Sequence, residues 1–363
     1  MKILSTRDTM LSNITLNVFD NGTNRSYIKL QSSSEGNYTD EDIFLIISFS
    51  LILLVGSIGN SLVVSYFYVK KGPKRSIPDY LFSCLAIIDI ITSIFNPALY
   101  IMWILTHFKW YFGYWTCKLL VPIGTIACSM SSGLHVIIAF DRQRSIVHPF
   151  KPHYKLRHIN IGIVLSFVCS VVANTHYSYN LTINRAGRCV VRDVRAKEFS
   201  VPTIIYFILQ DCMLIITLAM TNIKVFQNIR RNGAEQIILG HLDNLKRNRR
   251  IIRLLSAMTI MYFILTLPRD TLHIIHMISW MVGDGIAVTA TVLCFNSVFK
   301  LLHTSNSCAN FFIFIFLHQG FKTYLWQLVK SITRRSKHER RTSGRHKSQP
   351  QISPGEMLLL QDM

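Results

Sequence analysis

Apolar residues gather along this chain in seven long blocks, roughly residues 43–69, 79–105, 118–140, 159–179, 199–226, 251–281 and 287–317. Each block supplies the ~20 residues that a helix needs to cross a bilayer. The fourth is the weakest, diluted by Asn160, Asn174 and His176. Hydrocarbon holds no water to satisfy backbone N–H and C=O groups, so each block is predicted to be a helix. Buried helices of a large soluble protein could also be this apolar. Seven in succession, joined by short polar segments, argue against that. The predicted fold is an all-α membrane protein, a seven-transmembrane helix bundle over residues 43–317.

Composition agrees with the pattern. Half of the 363 residues are hydrophobic and mean hydropathy is positive, which soluble domains of this size rarely show. Charged residues make up only 16%, yet the formal net charge is +20. A nucleic-acid binder would spread such charge through a polar sequence. Here the bases cluster between apolar blocks, as in membrane proteins, so no nucleic-acid partner is expected.

Those clusters set an orientation. With the N-terminus outside, the inner segments carry Lys70, Lys71, Lys74 and Arg75, then Arg142, Arg144, Lys151, Lys155 and Arg157. Lys224 to Arg253 adds eight bases against two acids, and the C-terminal tail adds nine bases between Lys322 and Lys347. The outer side holds the acidic "TDEDIF" and Asp284. Basic loops stay in the cytosol. One segment, 180–198, disagrees, with five bases on the outer side. Residues 1–42 favour the same orientation. They contain no apolar stretch that reads as a cleavable signal, and they hold glycosylation sequons at Asn13, Asn21, Asn24 and Asn37. A disordered, glycosylated extracellular tail is expected there, on a protein of the plasma membrane.

Cysteine adds a sharper test. Cys84, Cys128, Cys169, Cys212, Cys294 and Cys308 lie inside apolar blocks. Only Cys117 and Cys189 lie at or beyond block ends, both on the outer side, where oxidation is allowed. Bonded, they would pin the loop after the fourth helix to the outer end of the third; the alternative is two free thiols.

Several motifs then fall in order. "GSIGN" supplies Asn60 in the first block and "LAIID" supplies Asp89 in the second. "WYFGYWTC" leads into the third, and Arg142 of "DRQ" stands twenty-five residues after Cys117. Pro149 follows, Pro268 interrupts the sixth block, and "NSCANFFIF" closes the seventh. Together they resemble a rhodopsin-like (class A) G-protein-coupled receptor, of the kind found among invertebrate-type neuropeptide receptors. The likeness covers all but the N-terminal tail and the distal C-terminus. It implies the Cys117–Cys189 disulfide, a heterotrimeric G protein as partner, and no cofactor beyond a possible sodium ion.

By that resemblance, Asp141 holds Arg142 at the cytosolic end of the third helix until an agonist frees it toward the G protein. The plainer alternative is an arginine snorkelling to lipid headgroups. Asp89 is an ionisable residue in an apolar block, costly without partners. The resemblance places Asn60, Ser131, Asn306, Ser307 and Asn310 around it, an oxygen set that suits a sodium ion (Na+) at Asp89. A hydrogen-bonded cluster without an ion is the alternative.

The chain also departs from the family. Thr266 stands where a Trp switch is usual, and Phe311 and Phe314 replace a Pro and a Tyr. Val168 is near the place of the fourth helix's usual Trp, and the fifth block has neither an interior Pro nor the usual Tyr. Asn248 and a basic cluster leave no acid at the inner end of the sixth to lock Arg142.

Ligand chemistry is read partly from what is missing. Gly124 stands where amine receptors carry Asp, which disfavours a monoamine. Thr304 stands where opsins carry the retinal lysine, so a Schiff base there is impossible. Arg269, Asp270, His273 and Lys300 are intramembrane charged or polar residues and imply a water-filled cavity. The bases could meet a ligand carboxylate and Asp270 a ligand arginine, or Arg269 and Asp270 could simply pair. "GRCVVRDV" alternates like a hairpin strand, as in peptide receptors, and a neuropeptide is the expected ligand.

Residues 318–330 place Phe321, Leu325 and Leu328 on one face, a short amphipathic helix on the lipid of the inner leaflet. In the tail 331–363, expected to be basic and disordered, Ser336, Thr342 and Ser343 are candidate targets of receptor kinases and thereby of arrestin. Two rivals stand beside the peptide receptor: a chemosensory receptor for small molecules, and a transporter or channel. The latter would show repeats or rows of intramembrane charge, which this sequence lacks. No metal-ligand spacing or nucleophile elbow points to an enzyme.

Overall fold

The computed structural model describes residues 38–72, 75–148, 152, 154–238, 242–283, 285–286 and 289–347. The four sequons and most of the N-terminal tail, Lys74, Pro149, Lys151 and Asp284 lie outside the described residues. The order of elements is α1 (Asp40–Val64), which runs on through a π-helical turn at Ser65–Lys70, then α2 (Ile77–Leu105), α3 (Tyr114–Val147) and α4 (Leu156–Asn180). A hairpin follows, β1 (Leu181–Ile183) and β2 (Cys189–Val191), then α5 (Lys197–Ile238), α6 (Leu242–Val282), α7 (Ala290–Leu317) and α8 (Gln319–Lys347).

Starts of helices carry their own signals. Thr39 and Asp42 form a capping box at the head of α1, and Ser76 and Asp79 form another at the head of α2. Lys71 adds an ion pair to Asp79 at 2.6 Å, which ties the turn between the two helices. Contrary to the expectation of no interior proline in the fifth block, Pro202 falls inside α5, in its second turn, where it removes the hydrogen bond that an N–H would make to Glu198 O.

Helices α1 to α7 make one compact unit. Within it α3 packs against α2, α4 and α5, and α7 packs against α1, α2 and α6. The polarity of the unit is inverted. On α1, Ile43, Ile47, Leu51, Leu54 and Ile58 form an exposed apolar stripe, while Gly56, Gly59 and Asn60 are buried. On α3 the buried set includes Ser129, Ser131, Ser132, His135 and Asp141. Apolar outside and polar inside is the arrangement of a multi-pass membrane protein, whose solvent is hydrocarbon.

The expectation of seven apolar spans needs one correction. Helices α1 to α6 are long and apolar enough to cross a membrane by composition, and α7 is not. Lys300, His303 and Asn306 dilute it, together with Thr304, Ser307 and Asn310, which are buried. Its polar residues face neighbouring helices rather than lipid. Nor is α4 the weakest span: the Asn174 amide turns inward to Ser129 at 3.3 Å, and His176 meets the Thr203 hydroxyl at 3.1 Å.

Helix α8 belongs to a separate unit. It runs to Lys347, well past the 318–330 assigned to the amphipathic helix and into the tail expected to lack regular structure. No Gly or Pro occurs between Phe321 and Ser343 to stop it.

At one end of the bundle three rings meet, from the π-helical turn after α1, from α2 and from α7. Phe67, Phe82 and Phe314 have centroids 5.1–5.5 Å apart, and Phe67 and Phe314 are fully buried. Phe314, standing where a Tyr is usual, thus packs as one side of an aromatic triad. Phe314→Ala should destabilise the protein by about 3–5 kcal/mol through lost packing, seen as a lower thermal midpoint of the purified receptor in nanodiscs.

Candidate functional site

One end of the bundle is roofed by the hairpin. Leu181 pairs with Val191, Thr182 with Val190 and Ile183 with Cys189. Asn184 Oδ1 accepts from the N–H groups of Ala186 and Arg188, and Gly187 takes φ +72°, which closes the turn. Cys117 and Cys189 form the disulfide expected of them, with Cα atoms 5.7 Å apart. The Trp110 N–H donates to Gly187 O at 2.8 Å, a second tie from the segment before α3. Cys189 and Val191 pack onto Leu99, Trp110, Cys117, Val121 and Leu181.

Beneath the hairpin, α6 and α7 carry the charged residues singled out above. Arg269 donates to Asp270 Oδ1 at 2.8 Å and lies over the Phe207 ring, 5.5 Å from its centroid. Asp270 is almost fully buried, so its charge is compensated from inside the chain and not left for a ligand arginine. His273 packs edge-on to Phe207 at 5.1 Å. Lys300 is close enough to Arg269 for the two charges to repel, and no acid pairs with it among the described residues. Gly124, where an amine receptor would carry Asp, is filled by a neighbour: a Cβ there would collide with the Asn96 amide.

Deeper lies Asp89, only 1% exposed. Its Oδ2 accepts from the Asn310 amide at 2.7 Å and its Oδ1 from the Ser131 hydroxyl at 3.1 Å. Asn306 and Ser307 line a cavity beside it. Asn60 does not reach Asp89; its amide donates to Gly56 O and Ser307 O, and its Oδ1 has no partner. The cavity, about 20 Å³, extends past Cys128 to Gln210, Tyr262, Thr266 and His303. A Trp at position 266 would occupy part of that space; Thr266 leaves it open, and its hydroxyl has no partner.

Sequence reasoning missed several of these neighbours. The Tyr262 and Ser132 hydroxyls lie 3.1 Å apart, and the His135 Nδ1 faces Ser131 O at 2.8 Å and must carry a proton there, since a carbonyl only accepts. The available signal was polar residues at helical spacing inside apolar blocks. Asp211 of α5 is also buried, with one carboxylate oxygen unpaired.

Near the C-terminal end of α3, Arg142 donates through both Nε, at 3.0 Å, and Nη2 to the same oxygen of Asp141. Asp141 is buried and Arg142 nearly so. Across this end, the Asn228 amide donates to Ile146 O at 2.9 Å and the Asn222 amide to the Thr259 hydroxyl at 3.2 Å, linking α5 to α3 and to α6.

Comparison with known proteins accords with this geometry. The sequence model of the family described as "7 transmembrane receptor (rhodopsin family)" matches residues 59–314. Over 329 residues the chain is 22% identical to neuropeptide Y receptor type 4 of Rattus norvegicus, covering 85% of each. Over 330 residues it is 25% identical to type-1 angiotensin II receptor A of Xenopus laevis, covering 84% of each. The crystal structure of squid rhodopsin superposes with a TM-score of 0.66 at 18% identity, over 82% of this chain and 88% of that one, a likeness of fold.

Cys189→Ser should free the hairpin and cost about 2–4 kcal/mol, in line with loss of a long-range disulfide. Hydrogen exchange should then show the amides of Val191 and Arg192 losing protection while those of α2 and α3 keep theirs.

Proposed function

The chain belongs to the rhodopsin family of seven-transmembrane receptors, and from that premise we propose that it is a receptor for an extracellular peptide that drives nucleotide exchange on a heterotrimeric G protein. The family is one of signalling receptors, not of enzymes. The observation that carries the ligand class is the identity of its relatives: proteins aligned over more than four-fifths of both lengths are named receptors for neuropeptide Y and for angiotensin II. The charged groups beneath the hairpin support it. Lys300, without an acid partner among the described residues, suits a ligand carboxylate, and Arg269 contributes positive potential while it stays paired to Asp270.

Transmission would follow from the two ends of the bundle. In the resting arrangement Asp141 takes the Nε and Nη2 donors of Arg142, so a G protein must compete for that edge of the guanidinium. A peptide that binds the open arrangement better than the closed one shifts the equilibrium by its differential affinity, and by no more. The polar links from Asn222 and Asn228 are what opening has to break. We place the receptor in the plasma membrane with its N-terminus outside. Ser336, Thr342 and Ser343 would serve kinases and arrestin, and the exposed Trp326 and Val329 of α8 would meet inner-leaflet lipid.

The Asp89 cluster fits a sodium ion. It offers a carboxylate, the Ser131 hydroxyl and the Asn306 and Ser307 groups around a cavity of about 20 Å³, above the ~10–15 Å³ that one water-sized guest requires. The unpartnered Asn60 Oδ1 fits hydration nearby. Bound there, the ion would supply positive charge to an otherwise lone carboxylate.

Two measurements test this reading. Purified receptor in nanodiscs, given a neuropeptide library, should accelerate nucleotide exchange on at least one G protein, and Arg142→Ala should reduce that rate at least ~10-fold, about 1.4 kcal/mol of lost coupling. Exchange driven only by small molecules would sink the peptide assignment. Sodium chloride, against choline chloride at equal ionic strength, should raise the thermal midpoint of the wild type, since a ligand of the native state stabilises it. The same comparison in Asp89→Asn should show no difference.

A further inference from the structure

The outer segment 180–198 carries Arg185, Arg188, Arg192, Arg195 and Lys197 against only Asp193 and Glu198. Bases on the outer side run against the bias that sets topology, so their presence needs another reason. Side chains alternate between the two faces of a strand. Cys189 and Val191 turn down onto Trp110, Cys117 and Leu181. That leaves Arg188 and Arg192 together on the opposite face, about 13 Å apart at ~3.3 Å per residue. Arg185, Arg192, Arg195 and Lys197 are exposed, and Arg188 is half-buried. None of the five forms an ion pair among the described residues. Arg188 Nε is buried with no acceptor at all. A buried donor left unpaired is costly, and a carboxylate supplied from outside would relieve it.

Among the described residues no acid supplies that carboxylate. Of the acids at the start of α1, Asp42 is taken by the N–H and hydroxyl of Thr39, and Glu41 accepts from Ser297 of α7. Residues 1–37 hold four bases and three acids, so that segment is no acidic counterpart. The disulfide and the Trp110–Gly187 bond hold the hairpin in place, so its charges are presented as a fixed surface.

We propose that the outer face of the hairpin is a docking surface for an acidic segment of the peptide ligand, with Arg188 and Arg192 gripping its carboxylates. This rests on the reading of the chain as a peptide receptor. Guanidinium forks match carboxylate geometry, and the surrounding Arg185, Arg195 and Lys197 steer an anionic segment toward them.

The test uses the full chain in nanodiscs and fluorescent random-sequence peptide pools sorted by charge into acidic, neutral and basic sets. The acidic pool should be retained about tenfold more than the basic pool at low salt, and the preference should fade as ionic strength rises. Arg188→Gln/Arg192→Gln should abolish the preference. Arg188→Glu/Arg192→Glu should transfer it to the basic pool, a gain that a misfolded protein could not show. Equal retention of all pools, preference for basic peptides, or an acidic preference unchanged in both variants overturns the docking surface and leaves the peptide-receptor reading standing. No retention of any pool by folded protein overturns both. Retention of heparin fragments in place of peptides would mark a polysaccharide surface and likewise overturn the proposal.

Discussion

In hydrocarbon a polar atom finds its partner inside the protein or not at all. Asp89 is where that constraint presses hardest. Its two oxygens draw in Asn310 from α7 and Ser131 from α3, so one carboxylate fixes the mutual register of three helices. Ser307, one turn before Asn310, offers its backbone oxygen to Asn60, which brings α1 into the same joint. The inverted polarity of the bundle follows from many such pairings. Exposed stripes such as that of α1 can be wholly apolar because the polar groups have been used up within.

The middle of the bundle is more polar than its family resemblance leads one to expect. Thr266 replaces a large aromatic ring and leaves a cavity that joins the surroundings of Asp89 to Gln210 and Tyr262. A Tyr262–Ser132 bond crosses from α6 to α3 beside it. At the end of α7 the reverse has happened: Phe314 packs on Phe67 and Phe82 where a hydroxyl would be usual. Polar bonding has moved to the centre of the molecule and packing to its end. A conformational change that passes along the bundle would therefore have to rearrange hydrogen bonds midway and act through packed aromatic rings at the end where Phe314 lies.

The sequence revealed those features that ride on one helix or on a fixed spacing. Seven blocks, Cys117 with Cys189, and the adjacent Asp141 and Arg142 needed no knowledge of how helices face one another. Lateral packing was not legible. Whether Asp270 faced a ligand or Arg269, whether Asn174 weakened α4 or bridged to Ser129, and where the space left by Thr266 opened all depend on rotation of helices about their axes. The extent of α8 was missed for another reason: a basic segment without Gly or Pro carries no clear stop signal, so its end is not written in composition.

Helix α7 has a consequence for how the protein is made. With Lys300, His303, Asn306 and Asn310 along its length, it gains less from lipid than any of the six helices before it. Two of its polar groups, Ser307 O and the Asn310 amide, are bonded to α1 and α2, and it packs on α6, all of them synthesised earlier. Those helices therefore act as a template that the last one joins, and its residence in the bilayer is a product of assembly. Damage to α1 at Asn60 or to α2 at Asp89 would be felt first at the ribosome, as a final helix with nowhere to settle.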